Sequence, residues 1–131
     1  MTAGLTILIA DRNPHVRDYL SREMKQEGHQ VRLAKSALEV LNCLSRGESI
    51  DLLIVDPDLP DRRQIKLLER LRKETPSTPV IIHTYTKEYM TPSPPAGNGI
   101  VVEKSGSSIE GLKTIVSGMI RKKEEGGASG A

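Results

Sequence analysis

The sequence has one cysteine, no tryptophan, no phenylalanine and only three tyrosines. Each shortage excludes something. Cys43 alone cannot form an internal disulfide, and its place in the apolar helical pattern Leu38, Leu41, Leu44 reads as a small core or boundary residue rather than a reactive thiol. With so few aromatic rings and a formal charge of only +2, unclustered, the chain has little with which to stack bases or hold phosphate backbones. Direct nucleic-acid binding is not expected. The three histidines, His15, His29 and His83, are scattered without metal-ligand spacing, so no zinc site is expected and no role is assigned to them. No apolar run approaches the roughly 18 residues that a membrane span requires, and Leu5–Ala10 is too short and too closely followed by charges for a signal peptide. A cytoplasmic protein without membrane contact is expected.

What is present is an alternation. Leu5–Ala10, Asp51–Val55 and Pro79–Ile82 are short runs rich in Ile, Val and Leu, the pattern of parallel strands buried on both faces. Two weaker strands, Gln30–Ala34 and Gly99–Glu103, complete the set. Between them lie helical patterns. Asn13 caps a first helix with Pro14 at its first position and Val16, Tyr19, Leu20 and Met24 inward, until Gly28 ends it. A second starts near Ser36, buries Leu38, Leu41 and Leu44 and stops at Gly47. A third runs from about Asp61 to Glu74 with Ile65, Leu68 and Leu71 inward. The last opens on Ser107 and Glu110, spaced as a capping box, and carries Leu112, Ile115, Val116 and Met119. Pro92, Pro94, Pro95 and Gly97 interrupt the alternation, so a fourth helix between Tyr85 and Gly99 is expected to be short or missing, leaving at most a turn near Lys87–Met90 and otherwise a loop. The organisation expected is one doubly wound α/β domain over residues 1–123, followed by a flexible tail or linker at 124–131.

In an open parallel sheet the carboxyl ends of the strands form the ligand-binding edge. The residues there are Asp11, Asp56, Thr84 and Lys104. Singly, each has an ordinary explanation: an Asp at a strand end caps a turn, a Thr fills a strand, a Lys is solvated. Together, a carboxylate, a hydroxyl and an ammonium on neighbouring strands can receive, hold and neutralise a phosphoryl group, whose transfer depends on positioning and charge stabilisation.

The order and spacing of Ile7-Leu8-Ile9-Ala10-Asp11, Pro14-His15-Val16-Arg17, Asp51-Leu52-Leu53-Ile54-Val55-Asp56, Asp58-Leu59-Pro60-Asp61, Pro79-Val80-Ile81-Ile82-His83-Thr84 and Lys104 resemble the receiver domains of bacterial two-component response regulators, from Leu5 to Ile120. The resemblance implies a five-stranded flavodoxin-like sheet of order 2-1-3-4-5 with helices on both faces. It implies Asp56 as phosphoacceptor, Asp11 as the surviving member of an acidic pair, Thr84 as the hydroxyl that follows the phosphoryl group and Lys104 as its charge partner. It also implies a sensor histidine kinase or phosphotransfer protein as donor, and a downstream protein partner.

Three departures mark the chain as atypical. The acidic pair is Asp11-Arg12, so magnesium would be left with Asp11, Asp56 and the backbone carbonyl of Asp58, and its affinity should fall. Arg12 either pairs with a site carboxylate or points to solvent. Val101 stands where the family usually has an aromatic, and Ser105 where it usually has a proline. A receiver of phosphoryl groups with an impaired magnesium site is therefore expected, with a phosphorylation-independent pseudo-receiver as its variant; neither is an enzyme. The rival class is a haloacid-dehalogenase-like phosphatase, since Leu53-Ile54-Val55-Asp56-Pro57-Asp58 also ends in Asp-x-Asp; in that family the motif occupies the first strand, and here it occupies the third.

Overall fold

The computed structural model describes residues 4–85 and 99–129, with side chains as far as Arg121. Five parallel strands, β1 (Thr6–Ala10), β2 (Gln30–Ala34), β3 (Leu52–Val55), β4 (Val80–Thr84) and β5 (Gly99–Glu103), form one sheet of order β2-β1-β3-β4-β5. Four helices are described: α1 (Pro14–Gln26), α2 (Ala37–Ser45), α3 (Leu67–Glu74) and α4 (Ser108–Ser129). The Pro-rich stretch for which a loop was expected lies outside the described residues. Among the described residues no helix is long and apolar enough to cross a membrane.

The period-2 alternation of the strands sorts the core into two layers. Leu5, Ile7, Ile9, Leu52, Ile54 and Ile81 face Leu20 and Met24 of α1 and Ile109, Leu112 and Val116 of α4. Leu8, Ala10, Leu53, Val55, Val80 and Ile82 face Ala37 and Val40 of α2 and Leu67 and Leu71 of α3. The central strands are thus buried on both sides, as their continuous apolar runs require.

Helix ends follow their side chains. Asn13 accepts from the His15 amide at 2.9 Å, and Ser36 from the Glu39 amide at 3.1 Å. Gly28 and Gly47 take φ of 92° and 76° just beyond α1 and α2, a conformation in which a Cβ would be strained.

Four details differ from the sequence expectation. Helix α3 begins at Leu67 instead of near Asp61, because the Asp61 carboxylate is committed elsewhere: it accepts the Ala37 amide at 2.8 Å and the Leu38 amide at 2.9 Å at the head of α2, and 61–64 form a turn. Leu38, expected inward, is exposed, since Ala37 and Val40 lead the buried stripe of α2. Tyr19 of α1 is also partly exposed, with its ring beneath the Arg22 guanidinium at 5.8 Å. The Ser107–Glu110 capping box is replaced by a serine-rich turn: Ser107 Oγ lies 3.3 Å from Ser105 Oγ, and the Glu110 amide donates to the Ser107 carbonyl. Beyond it, the helical backbone of α4 runs to Ser129.

Candidate functional site: a lysine between two buried aspartates

All four strand-end residues are buried: Asp11, Asp56, Thr84 and Lys104. Parallel registry explains why. Ala10 pairs with Val55 and Thr84 with Glu103, so the residues that follow β1, β3 and β5 emerge at one edge beside the end of β4. The turns are tied across that edge, with the Asp56 amide donating to the Ala10 carbonyl at 2.8 Å and the Lys104 amide to the Thr84 carbonyl at 2.9 Å.

Lys104 Nζ reaches Asp11 Oδ2 at 2.8 Å and Asp56 Oδ2 at 3.0 Å, bridging the carboxylates. Each carboxylate uses its other oxygen locally: Asp11 Oδ1 accepts the Asn13 amide and Asp56 Oδ1 the Asp58 amide, both at 2.9 Å. Burial pushes the Lys104 ammonium down, but its hydrogen bonds and charge contacts with Asp11 and Asp56 outweigh burial and raise its pKa. Lys104 is therefore a fixed cation at neutral pH. The ring of Tyr85 lies 5.3 Å from the same ammonium, and Arg17 Nη1 donates to the Asp11 carbonyl at 2.7 Å.

The side chain of Arg12 is exposed, and among the described residues it pairs with neither Asp11 nor Asp56. Of the two alternatives open for Arg12, solvent is the one observed. The oxygen donors suit magnesium, which is commonly held by one or two carboxylates with water completing its shell, but they are few; among the described residues no group of three or more His, Cys, Asp or Glu side chains could hold a metal.

Sequence reasoning gave the histidines no role, and two of them are buried partners. His29 Nδ1 accepts the Leu5 amide at 3.0 Å, and burial lowers its pKa. His83, one residue before Thr84, places Nε2 3.0 Å from Ser108 Oγ, while Nδ1 is buried without a hydrogen-bond partner among the described residues. Burial first, and then the Lys104 charge, push its pKa down to about 4 against the opposing pull of Asp56. Only the burial of an otherwise polar strand end would have singled it out, and the sequence does not display that.

The family model of the response regulator receiver domain matches residues 7–116. The chain belongs to the response regulator receiver domain family. It is 35% identical over 99 residues to the DNA-binding transcriptional regulator NtrC of Bradyrhizobium sp., covering 76% of this chain and 20% of that protein. The chain thus spans about a fifth of that relative's length. The response regulator TrrA of Thermotoga maritima, solved with Mg2+ and BeF and also in complex with the histidine kinase ThkA, is 25% identical; in the first of these structures it aligns with a TM-score of 0.74, covering 88% of this chain and 98% of that one. A CheY-like receiver domain of Methanospirillum hungatei aligns with a TM-score of 0.76 at 24% identity, over 95% of this chain and 100% of the other. This receiver domain has the flavodoxin-like fold expected from the sequence, and the phosphatase reading is not favoured.

Proposed function

We propose that this receiver domain takes a phosphoryl group on Asp56, with Lys104 and Thr84 as its fixed partners and a histidine kinase or phosphotransfer protein as donor. The observation that carries the reading is the buried Asp56 carboxylate held 3.0 Å from the Lys104 ammonium. Asp56 Oδ2 attacks phosphorus, the bond to the donor nitrogen breaks, and an acyl phosphate remains. Lys104 meets the growing charge on the phosphoryl oxygens without having to reorganise, which is where preorganised charge contributes most. The Thr84 hydroxyl, next to Lys104 across β4 and β5, is the second group to engage those oxygens.

Asp11, Asp56 and the Asp58 carbonyl are the donors we assign to magnesium, which when bound neutralises charge on the transferring group. Arg12 stands where a further carboxylate ligand would be, so this domain is a weak magnesium binder. A second reading, a phosphorylation-independent interaction module that uses the last helix and the loop 86–98, is favoured by Arg12 and by Val101; that loop lies outside the described residues. Both readings place the domain in the cytoplasm as a signalling module with a downstream protein partner.

The test is a magnesium titration followed by beryllofluoride, read on the amides of Asp56, Thr84 and Lys104 by NMR, for the native chain and R12D. Shifts at millimolar magnesium and again with beryllofluoride support phosphorylation, and R12D should tighten magnesium binding about tenfold, a gain of ~1.4 kcal/mol. Amides that stay still in both proteins leave the interaction module as the correct reading.

A further inference from the structure

His83 is a buried polar group beside Thr84 that the phosphoryl site does not use, and its surroundings define what it does. Ser108 has one hydroxyl proton, which goes to the Ser105 carbonyl at 3.0 Å. Its contact with His83 Nε2 at 3.0 Å therefore has the imidazole as donor, leaving Nδ1 a bare lone pair buried without a partner among the described residues. A leucine would fill this site without that orphaned acceptor, whose burial is unfavourable. What the imidazole supplies instead is a link from β4 across to the turn 105–108. The Ser105 carbonyl at the end of that link belongs to the residue next to Lys104, and the Lys104 amide is already tied to the Thr84 carbonyl beside His83.

We propose that His83, acting through Ser108, is a positioning residue that fixes the backbone turn carrying Lys104 and so holds the ammonium between Asp11 and Asp56. The role requires a rigid donor that fills a strand position and stays uncharged, because a second cation here would compete with Lys104 for the carboxylates. Neutral imidazole meets both demands. The inference goes beyond the phosphoacceptor reading and tests separately from it, since the Lys104 bridge exists without any phosphoryl group.

A double-mutant cycle in urea unfolding of the full chain tests the link, with H83L, K104M and the pair. No hydrogen bond or ion pair joins the two side chains, and a neutral imidazole exerts no charge–charge force, so a merely space-filling His83 gives additive effects, within about twofold in the folding equilibrium constant. The positioning role predicts coupling of about fivefold or more, because once Lys104 is gone there is less for His83 to hold. The S108A variant, run in the same cycle, breaks the link from its other end and keeps the test decisive if H83L does not fold. H83Q, whose amide nitrogen can donate as Nε2 does, should restore the native value. Additivity in the cycles, or an H83Q protein that behaves as H83L does, overturns the proposal. Beryllofluoride binding should weaken about tenfold in H83L and recover in H83Q; absence of binding in the native chain counts against Asp56 as phosphoacceptor and leaves the cycle as the measure of His83.

Discussion

Replacing Lys104 by Met keeps the aliphatic stem and removes the charge that sits 2.8 Å from Asp11 and 3.0 Å from Asp56. The two carboxylates, with 2% and 6% side-chain exposure, are then left facing each other out of water without a counter-ion. Breaking a buried ion pair by removing one partner costs about 3–5 kcal/mol, and here one cation serves two anions, so K104M should lose about 4 kcal/mol at pH 7. That is a large share of a stability of roughly 5–15 kcal/mol. The loss should depend on pH with a definite sign. The folded-state pKa of Lys104 is raised, so its contribution is complete below the unfolded value and is lost as pH rises through the raised one, whereas the variant has no such group to titrate. The gap between K104M and the native chain should therefore be full at pH 7 and narrow at strongly alkaline pH. D56N, by contrast, leaves a one-to-one pair of Asp11 and Lys104 and should cost about 1 kcal/mol. Urea unfolding followed by circular dichroism, repeated across pH, measures all three proteins. A K104M chain as stable as the native one at pH 7, or a gap that does not change with pH, would refute the argument that the bridge is a buried, charged triad.

Three further outcomes follow from the same structure. Because the His83 pKa is pushed from the ordinary value of 6.5 down to about 4, the unfolded chain binds the proton first; stability is unaffected above about pH 6.5, falls between pH 6.5 and 4 by at most about 3 kcal/mol from this group, and levels below, and H83Q should show a flatter acid limb in the same unfolding series. D61A frees the Ala37 and Leu38 amides at the head of α2 and should cost about 1–2 kcal/mol, with hydrogen exchange faster in α2 than in α4; uniform exchange would contradict its capping role. G28A meets no atom within 4 Å but must adopt φ of 92°, so its cost should be the backbone strain alone, about 1–2 kcal/mol in thermal unfolding.

The sequence alone determined the architecture, because the features that determine it are local. Period-2 strands with continuous apolar runs, helices closed by Asn13, Ser36, Gly28 and Gly47, and carboxylates at strand ends are all written in neighbouring residues, and parallel topology then brings Asp11, Asp56, Thr84 and Lys104 to one edge. Where local signals compete, the tertiary structure decided. Asp61 looks like the start of a helix, yet its carboxylate satisfies two amides from a different helix, 24 and 23 residues away, which no pattern around position 61 displays. Leu38 has the stronger hydrophobicity but Ala37 is the residue buried, because Ala37 and Val40, three residues apart, share the face of α2 turned to the core and position 38 lies off it. Whether Arg12 pairs or points outward depended on Lys104, which lies 92 residues on in the chain and already occupies the space between the aspartates. His83 gained a role only when the fold set it against Ser108, 25 residues away, since a hydrogen-bond partner that distant in sequence is chosen by packing.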